Sequence, residues 1–192
     1  MNVSKLQGDF ELLRDHCIVI RRNYNTYKNL FFSGNDELLL KTAWRFFNDI
    51  AEIMQRDWIL QVCKLMDPAE SKSKCISVEN ISIDLIDSQL REHGLMSSEI
   101  IAVSNELHKY GGILVPARHK RLAHFDREHQ LNRIVLGETT EEELLCFLVN
   151  IQRYCDLVGN AIGTGPLHFS ASGSSGDELD LIKVLREHYE VA

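Results

Sequence analysis

The residues best suited to chemistry lie together in the segment that runs from Pro116 to Asp126. Three cations and two histidines fall within it: Arg118, Lys120, Arg121, His119 and His124. A guanidinium can hold two phosphate oxygens at once, and a histidine titrates near neutral pH and can therefore move a proton. Phosphate binding and proton transfer are the minimum requirements for cutting RNA without a metal ion.

Local signals predict that this segment opens a helix. Gly111 and Gly112 are expected to end the preceding helix, and proline is favoured at a first helical position, where its missing N–H is not needed. Arg118 and His119 would then fall in the first turn, where free backbone N–H groups attract anions. We therefore expect the backbone and the basic side chains to attract a phosphate together.

The spacing of Arg118 and His124 is a weaker signal. Six positions along an α-helix rotate a side chain by about 240°, so the two residues do not share one face. Either Arg118 reaches round from the first turn, or a second copy of the segment completes the site across a dimer interface. A solvated basic turn without a function is the simpler interpretation of the composition alone.

Composition indicates a globular protein with one main core. The chain has 192 residues, 44% of them hydrophobic, and its net charge of −7 argues against indiscriminate coating of nucleic acid. We find no signal peptide and no apolar run of the roughly 20 residues that a membrane helix needs. Five cysteines without a C-x-x-C pair indicate a reduced, cytoplasmic protein.

Apolar residues recur at three- and four-residue intervals, which predicts an all-α helical bundle. Residues 1–162 should form the helical domain, and 163–192 a Gly/Ser-rich, mobile tether with a C-terminal helix packed on that domain or on a second subunit. The predicted helices are Leu6–Leu30, Asp36 to the residue before Asp67, a third ending at Gly94, one from near Ser97–Glu99 to Tyr110–Gly112, one from Pro116, one that opens within Thr139–Glu143 and runs through Val158, and Asp177–Tyr189. An exposed connection, Glu70–Glu79, should follow the second helix.

Three further expectations concern burial and metals. The second helix is apolar on more than one face and should be the most buried, with four aromatic residues in the core: Trp44, Phe46, Phe47 and Trp58. Asp84 and Asp87 should be exposed helix acids. The five-residue spacing of His119, His124 and His129 does not suit two metal ligands on one helix face, so we expect no metal and no other cofactor.

Two motifs resemble a known family. The segment from Arg118 to His124 resembles the signature of the HEPN superfamily, with His119 in its polar position. Upstream, Asp57–Ala69 followed by Glu79–Ile83 resembles the HEPN-like domain of abortive-infection (Abi) phage-defence proteins. The likeness covers roughly Phe10 to Val158, and Lys64 stands where the upstream motif usually has an arginine.

The resemblance implies a helical domain that dimerises and brings both motif copies to a shared cleft. Active HEPN proteins cut RNA without a metal by attack of the ribose 2′-hydroxyl on the adjacent phosphate. In this chain, His124 would be the general acid or base and Arg118 would hold the phosphate, while His119 would position either group or take the second proton-transfer role. Lys120 and Arg121 would steer the RNA. Asp67 and Lys64 could support the site.

The leading hypothesis is thus a metal-independent endoribonuclease of phage-defence or toxin type. Its expected partners are an RNA substrate, a second copy of the chain and an antitoxin or defence protein, with no membrane. Many HEPN proteins are instead non-catalytic, so an RNA- or nucleotide-binding adaptor remains an alternative. A helical domain that binds a partner protein is the third hypothesis.

Overall fold

The computed structural model describes residues 3–73, 76–123, 136–170 and 173–190. Over these ranges the chain forms six α-helices, one π-helical turn and one small hairpin, so the all-α prediction is confirmed. In chain order the elements are α1 Val3–Phe31, α2 Asp36–Leu65, β1 Glu70–Ser73, β2 Ile76–Glu79, α3 Ile83–Glu92, α4 Ser98–Ala117, the π-helical turn Arg118–Ala123, α5 Glu141–Ile162 and α6 Glu178–Glu190. None of the helices in the described ranges is long and apolar enough to cross a membrane.

The main core lies between α1, α3, α4, α5 and the C-terminal end of α2. Helix α1 contributes a stripe of residues three or four positions apart, which therefore lie on one face: Leu6, Phe10, Leu13, Cys17 and Ile20. Leu107 of α4 and Tyr154 of α5 are among the largest side chains that are fully enclosed. The two strands pair antiparallel, with Glu70 opposite Glu79, so the predicted exposed connection is a hairpin.

Side chains cap the starts of α4 and α5. Ser97 accepts a hydrogen bond from the backbone N–H of Ile100 and begins α4. Thr140 and Glu143 form a reciprocal capping box at the start of α5, which satisfies two otherwise free backbone donors. Gly94, with φ of +67°, follows α3 as predicted.

The prediction that α2 is the most buried helix is wrong. Trp44 and Phe46 are 62% and 58% exposed, whereas Phe47 is buried. The helix is kinked at Ala43, where φ is −163°. Among the described residues, its first half packs against the end of α1 and against α6 in a small second core. The apolar pattern on several faces of α2 therefore does not indicate burial on all of them.

The predicted break before Pro116 is also wrong, because α4 continues through Gly111, Gly112 and Pro116 to Ala117. Gly111 fits because it packs directly on Met66, at the end of α2. Pro116 has no N–H to donate to the carbonyl of Gly112. The chain passes two residues later into the wider π-helical turn.

Asp87 is buried rather than exposed, with only 3% of its surface accessible. Its carboxylate accepts hydrogen bonds from Ser104 Oγ at 2.6 Å and from Tyr154 Oη at 2.8 Å, and so joins α3, α4 and α5. Burial raises the pKa of Asp87, and the two hydroxyl donors partly offset that rise. The expectation failed because the periodicity of α3 does not reveal a polar partner on another helix.

The C-terminal helix lies across the junction of α1 and α2. Glu178 accepts hydrogen bonds from Thr26 and Asn29 of α1, and Arg186 donates to Asn35 before α2. In the Gly/Ser-rich segment that we expected to be mobile, the carbonyl of Ser170 accepts a hydrogen bond from Asn25. In this structure, Glu178 and Arg186 thus join α6 to α1 and to the start of α2.

Replacing Asp87 by alanine should destabilise the fold by about 3 kcal/mol, because it leaves the buried hydroxyls of Ser104 and Tyr154 without an acceptor. Asp84→Ala on the same helix is the matched control, since Asp84 is part-exposed and, among the described residues, forms an ion pair with His108 alone. That change should cost less than about 1 kcal/mol. Urea unfolding of both variants measures the difference. Equal losses would show that the Asp87 network does not stabilise the fold.

Candidate active site

The two motif segments meet through an ion pair between Arg118 and Asp67. Arg118 begins the π-helical turn after α4, and Asp67 lies two residues beyond the end of α2. Nη1 of Arg118 donates to Oδ1 of Asp67. The side chains are 31% and 24% exposed, so the pair is partly shielded yet reachable from solvent. A phosphate could therefore approach this guanidinium without unfolding the protein.

Close helix packing sets the position of this pair. A Cβ atom on Gly111 would lie 2.3 Å from Cγ of Met66, so only glycine permits the observed approach of α4 to the end of α2. Met66 immediately precedes Asp67, and Arg118 lies two helical turns beyond Gly111. The glycine that we expected to end a helix instead brings the two motifs together.

The anion-binding role assigned to the backbone is wrong for this segment. Arg118 continues from the C-terminal end of the 20-residue α4 directly into the π-helical turn, so it does not lie at a helix N-terminus with free backbone N–H groups. Any attraction for phosphate must therefore come from side chains.

The angle of about 240° between Arg118 and His124 assumed an α-helix. From Arg118 to Ala123 the chain is π-helical, so that value does not apply along this turn. π-Helical turns insert an extra residue and are frequent at functional sites. His124 itself lies outside the described residues.

The remaining predicted site residues are His119, Lys120, Lys64, Arg121 and His124. His119 and Lys120 are exposed on the π-helical turn. Lys64 is exposed as well and donates to Oε1 of Gln61 at 3.3 Å, so it does not join the Arg118 ion pair. The side chain of Arg121, like His124, is not part of the structure described. Among the residues that are described, no three His, Cys, Asp or Glu side chains group to hold a metal ion.

Cys63 lies beside the ion pair, and the sequence analysis did not single it out. Burial raises the pKa of the Cys63 thiol, while the nearby Arg118 lowers it and Asp67 raises it. Because the thiolate is the nucleophilic form, this environment favours an unreactive thiol. Cys63 thus serves as a small apolar residue under the ion pair.

Another titratable group missed from the sequence is His16 of α1. Its Nε2 lies 3.1 Å from the carbonyl oxygen of Gln61, to which it donates. Burial lowers the pKa of His16, and the carbonyl partly restores it. Helical periodicity alone could place His16 near the edge of the core but could not identify its partner on α2.

Gly111→Ala should separate the ends of α2 and α4 and destabilise the protein by about 1–3 kcal/mol, because the new methyl group overlaps Met66. Gly112→Ala is a matched control one residue away, where a Cβ would meet no atom of the described residues within 4 Å. That change should stabilise the helix by up to about 1 kcal/mol. Thermal unfolding monitored by circular dichroism measures both. Two changes of the same sign and size would contradict the close contact.

Comparison with known proteins agrees with the resemblance of the two motifs. The family model HEPN_AbiU2, described as AbiU2, matches residues 4–181. No curated protein and no solved structure matches the chain. The matched range contains both motif segments and reaches beyond Val158 into α6. The chain therefore belongs to the HEPN_AbiU2 family and carries a HEPN-like domain of the abortive-infection type.

Proposed function

We propose that this protein is a metal-independent endoribonuclease of phage-defence or toxin type. One observation carries the proposal: a partly exposed guanidinium, Arg118, is held by Asp67 where the two HEPN-type motif segments meet. The match to HEPN_AbiU2 over residues 4–181 supports it. RNA is the proposed substrate, and an antitoxin or defence protein is a proposed partner.

The proposed reaction is an internal transfer within the RNA. A base, His124, takes the proton of the ribose 2′-hydroxyl, whose oxygen then attacks the adjacent phosphorus. The bond to the 5′-oxygen of the next nucleotide breaks, and that oxygen receives a proton from an acid. The products are a 2′,3′-cyclic phosphate and a 5′-hydroxyl. His119, exposed on the π-helical turn, is the proposed second proton-transfer or positioning group.

Arg118 would stabilise the charge that builds on the phosphate oxygens. Its guanidinium carries five N–H donors, and the bond to Asp67 uses one on Nη1. The remaining donors can take a phosphate while Asp67 keeps the fork oriented. Asp67 is accordingly a positioning residue, and Lys120 adds a mobile positive charge for the RNA backbone.

We propose further that the working form is a homodimer. A twofold interface past the π-helical turn would place Arg118 of one protomer beside His124 of its partner. It would also double the local positive charge on an otherwise acidic protein, whose net charge is −7.

A second candidate function is a non-catalytic RNA- or nucleotide-binding adaptor. The ion pair itself favours this alternative, since Asp67 neutralises part of the charge of Arg118. In that case Arg118→Ala would weaken RNA binding in a salt-dependent manner, and no cleavage would occur in the wild type.

Purified protein should cleave total RNA in the presence of EDTA, and His124→Ala should slow cleavage by about 10²–10⁴-fold through loss of proton transfer. His168→Ala is the matched control, because His168 is exposed and forms a hydrogen bond with Ser170, away from the Arg118 ion pair. It should cleave at the wild-type rate. Detection of cyclic phosphate at the new ends checks the chemistry. Equal survival of RNA with the wild type and His124→Ala would contradict catalysis.

A further inference from the structure

A cavity of about 400 Å³ opens between α1, α2 and the segment that leads into α5. It is distinct from the Arg118 site in both charge and composition. Four aromatic side chains line it: Tyr24, Tyr27, Phe32 and Trp58. A cavity of this size can enclose most of a small ligand.

The charged groups that line the cavity are acidic. Among the described residues these are Asp57 and Glu138, and no lysine, arginine or histidine joins them. Glu141 of α5 adds negative charge close to Tyr24. The cavity therefore favours a cation and disfavours the phosphate groups of RNA.

Two amides hold the carboxylate of Asp57 in place. Asn23 Nδ2 donates to Oδ2 at 3.2 Å, and Gln61 Nε2 donates to Oδ1 at 2.7 Å. Within the described part of the chain, no ion pair engages Asp57. Each carboxylate oxygen keeps a second lone pair, so the group can still accept from a ligand.

The aromatic walls are fixed by their own contacts. The rings of Tyr24 and Trp58 lie 6.2 Å apart at 53°, and Trp58 packs edge-on against Phe147. The hydroxyl of Tyr27 accepts a hydrogen bond from Gln55 Nε2 at 2.7 Å. Rigid aromatic faces attract a cation within about 6 Å of the ring centre.

Tyr24 already has one cationic neighbour. Cζ of Arg21 lies 5.9 Å from its ring centre, although Arg21 does not line the cavity. This contact leaves the other three aromatic side chains and both acids for a ligand.

We propose that this cavity binds an organic cation: an ammonium or guanidinium group on a small apolar body. The charged head would lie near Asp57, and the apolar part would contact Trp58 and Tyr27. Such a head could belong to a free metabolite or to a basic side chain of a partner protein. The proposal is independent of RNA cleavage, so either can fail without the other.

The test uses Trp58 as the reporter. The chain has two tryptophans, and Trp44→Phe removes the other, which is 62% exposed. Choline should change the fluorescence of Trp58 in a saturable manner. Its neutral isostere 3,3-dimethylbutan-1-ol has nearly the same shape and should bind at least about tenfold more weakly, because only the charge differs.

Asp57→Asn should weaken choline binding by at least about tenfold, since it removes the charge and keeps the shape of the side chain. Glu52→Gln is the matched control on α2; Glu52 pairs with Arg56 and lies outside the cavity. It should bind choline as the parent does. Tyr27→Leu provides a second variant, expected to bind several-fold more weakly, should Asp57→Asn fail to fold.

Two probes distinguish the two sources of the cation. The peptide acetyl-Ala-Arg-Ala-amide represents a basic side chain of a partner protein, and choline represents a free metabolite. Tighter binding of the peptide indicates a partner protein, and tighter binding of choline indicates a free small molecule; both outcomes support a cation site. Equal binding of choline and its neutral isostere would overturn the proposal. So would tighter binding of guanosine than of either cation, or no binding of any probe at millimolar concentration.

Discussion

The close approach of α4 to the end of α2 is the constraint on which the candidate site depends. Gly111 lets the helices touch at Met66, and this contact places Asp67 against Arg118. The ion pair is partly shielded, so its charges interact more strongly than an exposed pair but remain accessible. The guanidinium that holds Asp67 in this structure is therefore the group that would engage the RNA phosphate in the proposed reaction.

The carboxylates of Asp87 and Asp67 differ in their burial and in the partners that they bind. Asp87 is enclosed between α3, α4 and α5, and burial raises its pKa, which suits a structural acceptor for Ser104 and Tyr154. Asp67 is partly exposed and pairs with a full cation. The first arrangement fixes the helices, and the second leaves a charged group at the surface for a ligand.

Helix α2 joins the acidic cavity to the site of the Arg118 ion pair. Asp57 and Trp58 line the acidic cavity, and α2 ends about 12 Å farther along its axis at Leu65, two residues before Asp67. All four residues belong to the upstream segment Asp57–Ala69 that resembles the abortive-infection family. This segment thus contributes to the Arg118 ion pair at one end and to an aromatic cavity at the other.

Local patterns in the sequence were sufficient for the helical fold. Three- and four-residue periodicity predicted α1 and α5, and the Ser97–Glu99 segment and the acidic run after Thr139 predicted where α4 and α5 begin. The continuation of α4 could not be predicted, because the contact of Gly111 with α2 outweighs the local tendency of glycine and proline to end a helix. The motif residue Arg118 was identifiable, yet its bond to Asp67 depends on tertiary packing that separate helix patterns do not contain.

The central claim is that Arg118 and His124 act together across a twofold interface, and subunit mixing tests it most directly. Arg118→Ala and His124→Ala proteins, each inactive alone, are unfolded together in equal amounts and refolded. A composite site predicts that the mixture regains about a quarter of wild-type RNA cleavage, since half the dimers are mixed and each holds one intact site of two. A mixture as inactive as its two components would contradict the account.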